Sequence, residues 1–521
     1  KAAPSADELK AWEEDARKKV RATEKKLVGR ILNDKKGFEA YMNYLYLDAV
    51  ASSFDPHTTY LPKQEKEKFD TDLSGVGFSL GIETGENEKG EIMIRRLVPG
   101  GPAWKSGELH NGDVLTQLIL NNQSVIDMTD MDIEEADAML HGKENERIGL
   151  TVRKANGITK TVQLVKEELK DEENFVKGFV LKGEKKIGFI SLPGFYSDNE
   201  SELGSSCAND VAKEIVKLKK ENIDGLILDL RFNGGGSMRE ALDLAGIFIH
   251  EGPLCVVKNN EGKATVLKDM NRGTIYDGPL LLMINGLSAS ASELLASVLQ
   301  DYNRAVIAGS TTYGKGTSQV IVPIDTAKKI AHSMELNDNS DFVKITVGKF
   351  YRVTGKTVQF NGVKPDVMLP DAYEAFPFRE SGKPAALLPD TSRKTYYQAL
   401  PALPLSILAE KSKERVNQSE RFKNILQLKE WWKKKLSGYI VPLKADLYEK
   451  LNEEHGKLFE KFTDTAMIPT NFYTVENTET DSHKLQISKE RRETNEVWLK
   501  KLKQDIYLEE SFRIILDLLK S

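Results

Sequence analysis

From residue 6 to about 50, apolar residues recur at helical spacing among many Lys and Glu, until "SFDPHTTYLP" interrupts the run with two prolines. This predicts a helical N-terminal domain over residues 1–70. From "SGVGFSLGIE" to "KTVQLVKEEL" the pattern shortens to strands separated by Gly-rich turns, with one helix-like stretch, "DMDIEEADAMLHG". We read a small β-rich domain over 73–168. Over 169–372, strand-like runs alternate with amphipathic helices: "KIGFISLPGF", "CANDVAKEIVKLKKENI", "DGLILDL", "MREALDLAGIFI", "GPLLLMING", "SELLASVLQDY" and "AVIAG". Such alternation implies an α/β fold with a mostly parallel sheet. Residues 373–521 are helical in pattern and heavily charged. Ile425, Leu428 and Trp432 share one helix face, and Phe512, Ile515, Leu516 and Leu519 share another. Both stripes read as core contacts. The predicted architecture is multidomain, with an α/β core and a β-rich domain flanked by helical ends.

Length and composition agree with this division. A chain of 521 residues exceeds what one hydrophobic core usually organises. A net charge of -5 over that length favours neither nucleic acid nor an anionic membrane as the main partner. No apolar run reaches a membrane span, and the first residues lack an apolar secretion core, so an export signal would lie upstream of this numbering. The two cysteines, Cys207 and Cys255, are either free thiols or one bridge. The seven histidines show no metal-binding spacing, so no structural metal is expected.

Candidate chemistry gathers in the α/β region. "GSTTYGKGT" (309–317) has the Gly-x-x-x-x-Gly-Lys spacing of a phosphate-binding loop, but Gly316 stands where a Mg-binding Ser or Thr is needed. The next residues, "TSQVIVPI", alternate like a strand instead of opening a helix, so a nucleotide site is not expected. Three glycine-bearing loops follow strands, "DLRFNGGGS", "NGLSASASE" and "GKGTSQ". Parallel strands gather such loops at one edge. A serine of "SASASE" sits at a helix start, where it serves as a cap with Glu293 completing a capping box, or as a nucleophile beside amides able to hold an oxyanion. A nucleophilic serine needs a base. His250 and His332 stand without obvious companions, whereas Lys315, flanked by Gly314 and Gly316, is a plausible base once burial lowers its pKa from about 10.4 to roughly 7–8.

In the β-rich domain, "GVGF" (75–78) places two glycines at a loop-to-strand junction suited to gripping a carboxylate. With "GPAWKSGELHNGDVL" downstream, the domain resembles a PDZ domain, which binds extended C-terminal peptides by strand addition.

The whole stretch from about residue 45 to 370 resembles the C-terminal processing peptidases, serine endopeptidases with a Ser-Lys dyad, and specifically their tail-specific branch. The resemblance rests on "SFDPHTTYLP", "GLILDLRFNGGGSMREALDLAGIFI", "SASASELLASVLQDYNRAVIAGSTTYGKGTSQ" and "GKFYRVTGKTVQFNGVKPDVMLP". It implies a ClpP/crotonase-like core, Ser290 as nucleophile, Lys315 as base and Gln319 as the residue orienting the lysine. It also implies an oxyanion hole from the N–H groups of Ala291 and Gly236, with Gly235 in reserve, and a carboxylate grip at Val76, Gly77 and Phe78. The expected activity is ATP-independent cleavage of proteins with accessible, apolar C-termini. No metal, nucleotide or other cofactor is implied, and the PDZ domain would gate or recognise tails. An adaptor protein and a periplasmic or envelope location follow from the same resemblance. The competing expectation is a non-catalytic PDZ scaffold.

Overall fold

The apolar strands of the α/β region are buried on both faces because a different set of helices covers each face. In a computed structural model, residues 5–521 are described apart from 33–36, 75, 88–89, 99, 121–123, 130, 132, 143–145, 171–174, 198–205, 271, 325–340, 439 and 487–488. Seven strands among the described residues form one sheet, in the order Val367–Met368, Val306–Gly309, Leu280–Ile284, Gly225–Asp229, Lys186–Ser191, Lys177–Gly183, Tyr473–Glu476. The first five pair in parallel and the last two antiparallel, as the mostly parallel expectation requires.

Alternation along these strands splits their side chains between two cores. Leu226, Leu228, Leu280, Leu282 and Ile307 join the helices Cys207–Lys220, Met238–Phe248 and Ala291–Asp301. Ile227, Leu281, Met283, Val306 and Ala308 join Leu408, Phe422 and Ile425, together with Leu508, Phe512 and Ile515 of the helix Ile506–Lys520. The apolar stripes read at Ile425 and Phe512 are therefore core. The C-terminal region supplies a whole layer of the α/β fold and also its edge strand, Tyr473–Glu476, which its charged helical texture had hidden.

A second, five-stranded sheet holds Thr59–Leu61, Phe342–Tyr351, Gly252–Asn259, Ala264–Asp269 and Thr317–Pro323. Thr59–Leu61 comes from "SFDPHTTYLP" and pairs antiparallel with Phe342–Lys344. Through that pairing, residues 53–75 belong with residues 172–521 in one compact unit, while residues 1–52 and 76–171 form another. This division cuts across the helical segment read at 1–70, because strand pairing outweighs the local helical pattern. Cys207 and Cys255 are both buried and free.

The other unit contains the helices Ala6–Leu32 and Phe38–Ser52 and a six-stranded antiparallel sheet that runs from Ile82–Glu86 to Thr159–Val165. Leu80, Ile94, Leu118 and Leu150 form its core with Ala136 and Leu140 of the helix Ile133–Leu140. No helix among the described residues is long and apolar enough to cross a membrane.

Phe512 is fully buried and its ring centroid lies 5.0 Å from that of Tyr473. Phe512→Ala is expected to destabilise the α/β unit by about 3–5 kcal/mol, read as a lowered midpoint in urea unfolding.

Candidate active site

Three loops at the ends of the parallel strands are tied together by two polar side chains. Asn233, fully buried, donates from Nδ2 to Leu192 O at 2.9 Å, and its Oδ1 accepts the N–H of Gly235 at 2.9 Å. Its backbone carbonyl accepts from Ala289 N at 3.0 Å and from Ser292 Oγ at 2.9 Å. The glycine loop is thereby sewn to the serine loop. The fit is close enough that a Cβ on Gly235 would lie 2.8 Å from Ser290 Cβ, and Gly235 itself has φ +103°.

Glu293 makes the second tie. Its Oε2 accepts from the N–H of Ser290 at 2.8 Å and from the N–H of Lys315 at 2.8 Å. Its Oε1 accepts from Thr312 Oγ1 at 2.6 Å and Gly314 N at 2.7 Å. One fully buried carboxylate thus receives four donors from two loops, and a single oxygen bridges the backbones of residues 290 and 315. Burial pushes the Glu293 carboxyl up to about 7, against the lowering pull of Thr312, Gly314, Ser290 and Lys315. Above that pH it is the acceptor-only anion these donors require.

These bonds also leave the Gly-Lys loop without the amides that a phosphate site would use. The amides such a loop would offer to phosphate are already given away: Gly314 and Lys315 to Glu293, and Gly316 to Gln359 Oε1 at 2.7 Å. The chain then enters the strand Thr317–Pro323, as its alternation predicts.

Ser290 caps the helix Ala291–Asp301 and shares a capping box with Glu293. Capping alone does not account for its backbone, which has φ 55° and ψ -110° where an ordinary cap is extended. A non-glycine residue held at positive φ signals strain maintained by its surroundings. Behind it, the N–H groups of Ala291 and Gly236 take no backbone hydrogen bond among the described residues, while that of Gly235 is used by Asn233.

Lys315 is largely buried, and its amine is pushed down to about 8, first by loss of solvent and then by the nearby charge of Lys344, with Glu380, Glu293 and Asp55 opposing. Gln319 Nε2 donates to Thr317 Oγ1 at 2.9 Å and to Thr346 Oγ1 at 3.1 Å. Neither the Ser290 hydroxyl nor Gln319 is hydrogen-bonded to the Lys315 amine among the described residues. The fold therefore brings Ser290, Ala291, Gly235, Gly236 and Lys315 together, and sets Gln319 on the strand that leaves the lysine. Sequence reasoning assigned Glu293 only half of a capping box and passed over Asn233; the Asn in "FNGGG" was the one local signal for it.

Residues 186–369 match the model of peptidase family S41, residues 67–156 that of the PDZ domain, and residues 373–520 that of the C-terminal domain of tail specific protease. The chain is 33% identical over 390 residues to the tail-specific protease of Haemophilus influenzae, covering 73% of this chain and 53% of that one. It is 30% identical over 318 residues to a probable CtpA-like serine protease of Staphylococcus aureus, covering 60% and 57%. The chain belongs to peptidase family S41. It spans about half the length of these curated relatives. A solved photosystem II D1 C-terminal processing protease shares 22% identity over 67% of this chain and 92% of its own, with a TM-score of 0.37.

In the PDZ domain of this S41 chain, Val76–Ser79 is an extended strand, paired with Glu167–Lys170 along its length and with His141–Gly142 at Phe78 and Ser79. Val76, Gly77 and Phe78 thus lie in a ladder at the start of this strand; Gly75 lies outside the described residues. Ile82–Glu86 is the terminal strand of the larger sheet. It faces the helix Ile133–Leu140, to which Thr84 Oγ1 is joined through Asp137 Oδ1 at 2.7 Å.

In Glu293→Gln, whichever oxygen becomes an amide meets two donors. The variant is expected to lose about 1–3 kcal/mol for each donor left unsatisfied. Chemical denaturation reads the loss, and hydrogen exchange at the Gly314 and Lys315 amides is expected to accelerate.

Proposed function

We propose that this chain is an ATP-independent serine endopeptidase in which Ser290 is the nucleophile and Lys315 its general base. The single observation that carries the reading is the Glu293 oxygen shared by the N–H groups of Ser290 and Lys315. It holds the two loops side by side while burial keeps the amine easy to deprotonate. The core carrying them is of the ClpP/crotonase-like kind implied by the family resemblance.

In the first step the neutral amine takes the Ser290 proton and Oγ attacks the peptide carbonyl. The carbonyl π electrons move to oxygen, and that oxyanion accepts from Ala291 and Gly236. Gly236 is favoured over Gly235 because the Gly235 N–H is already held by Asn233. Collapse of the intermediate breaks the C–N bond, the lysine ammonium returns its proton to the leaving amine, and an acyl-serine remains. Water, deprotonated by the same amine, then releases the new C-terminus. The absent Ser290–Lys315 hydrogen bond is compatible with this course, since catalytic contacts commonly tighten only when substrate is bound. Gln319 orients the lysine after such a rearrangement, from its place four residues along the chain.

Protein substrates with accessible, apolar C-termini are the proposed class. Their tails would add beside the terminal strand Ile82–Glu86 and the helix Ile133–Leu140, with the carboxylate end near Val76, Gly77 and Phe78. The helical N-terminal segment at 1–70, the PDZ domain at 73–168, the peptidase core at 169–372 and the C-terminal segment at 373–521 are the proposed functional divisions. An adaptor and an envelope location are supported by the family resemblance alone.

Ser290→Ala is expected to abolish cleavage of an unfolded protein with an apolar tail while the protein stays folded, with a melting temperature lowered by no more than the loss of one helix cap; undiminished cleavage favours the scaffold reading. The pH profile carries a second signature. Lysine is active when neutral, so log kcat/KM should rise with pH above 7 and level off past a midpoint at about 8. Below about 7, protonation of Glu293 removes the acceptor that joins the loops, and the limb should steepen. A profile flat from pH 6 to 9 contradicts a lysine base.

A further inference from the structure

The segment before the PDZ domain and the start of the C-terminal region meet beside Lys315. Glu380 is fully buried, and His57 Nε2 lies 2.7 Å from its Oε2. Its Oε1 accepts from Gln359 Nε2 at 2.8 Å. Gln359, also fully buried, uses its own Oε1 to accept the N–H of Gly316 at 2.7 Å. The Glu380 N–H donates to Tyr313 O at 3.1 Å. Glu380 is thus linked to the backbone on both sides of Lys315, directly at residue 313 and through Gln359 at residue 316.

The packing leaves these links little slack. A Cβ on Gly316 would come within 2.7 Å of Gln359 N, and one on Gly314 within 3.0 Å of the Phe360 carbonyl. A buried carboxylate is an expensive way to fill space, because its desolvation must be offset by partners. The neighbouring segment reinforces the arrangement. Asp55, two residues before His57, accepts the His57 N–H at 2.9 Å and Thr346 Oγ1 at 2.9 Å, and Thr346 Oγ1 accepts from Gln319.

We propose that Glu380, braced by His57 and acting through Gln359, is a positioning residue for Lys315: it fixes the backbone around the lysine and sets a negative charge beside its amine. The proposal rests on the reading of Lys315 as the base. The charged groups acting on that amine are Lys344, Glu293, Asp55 and Glu380, and Glu380 itself is met by His57 and lies near Tyr313. Glu380 favours the ammonium form, so its charge opposes the effects of burial and of Lys344.

The test compares kcat/KM against pH for the full chain and its variants on an unfolded protein substrate. Glu380→Gln keeps the shape and removes the charge, so the lysine releases its proton more readily. The acid limb is expected to move to lower pH, by up to about one unit. Superimposable limbs from a folded Glu380→Gln variant overturn the proposal. His57→Phe removes the donor to Glu380 and is expected to lose about tenfold or more in kcat/KM, whereas His57→Gln, which can still donate, recovers most of it. Equal losses in both, or none in either, also overturn the proposal, and this pair decides if Glu380→Gln does not fold. Lys315→Ala is run alongside: cleavage that survives it removes the lysine base itself, while an inactive Lys315→Ala with an unmoved Glu380→Gln limb removes only the positioning role.

Discussion

A single buried carboxylate organises the end of the α/β fold where the loops of Ser290 and Lys315 meet. Glu293 sits in the first turn of the helix that Ser290 caps, so its bond to the Ser290 N–H is local and follows from helix-end chemistry. Its bonds to Thr312, Gly314 and Lys315 are not local. They turn a glycine-rich loop with the residue spacing of a phosphate site into a receptor for an internal anion. The loop's donors are satisfied within the protein, and the lysine that would have reached for phosphate is left largely buried. The same bonds occupy the amides of this loop, whereas the lowered pKa of its amine comes from burial and the charge of Lys344, against the pull of Glu293.

The strain at Ser290 has a similar origin. Asn233 and Glu293 hold the residue from opposite sides, one through the neighbouring Ala289 and Ser292 and the other through its own N–H. A positive φ persists only where such contacts over-determine the backbone. The glycine at 235 is required for the approach, since any side chain there would collide with Ser290. Beneath this constellation lies a sheet buried on both faces, and the C-terminal region covers one of them. That region therefore contributes rigidity to the site, and through Glu380 it reaches the lysine loop directly.

Much of this was legible in the chain. Period-two and helical alternation located the parallel strands, the helix after "SASASE" and the strand after Lys315. The glycine clusters marked the loops that converge. The features that escaped depend on partners distant in sequence. Glu293 showed only its local bond, because a capping box contains no sign of a second loop. Glu380 and Gln359 stand in ordinary polar surroundings, and nothing near them announces burial. Thr59–Leu61 lay within a proline-punctuated stretch that read as a boundary, and Tyr473–Glu476 within charged helices; both become strands only because an open sheet edge accepts them. The "GVGF" motif read as a loop-to-strand junction, and Val76–Ser79 is a strand paired on both sides, partners that its local sequence does not announce.

Catalysis by this route requires the amine of residue 315 to be uncharged near neutral pH while Glu293 holds its loop against the serine. The most direct measurement is an NMR titration of the Lys315 side chain in isotopically labelled Ser290→Ala protein, with the resonance assigned by Lys315→Arg. A midpoint near 8 is predicted. A midpoint at the ordinary lysine value of about 10.4 would contradict a lysine base, because an amine that stays protonated there cannot take the serine's proton.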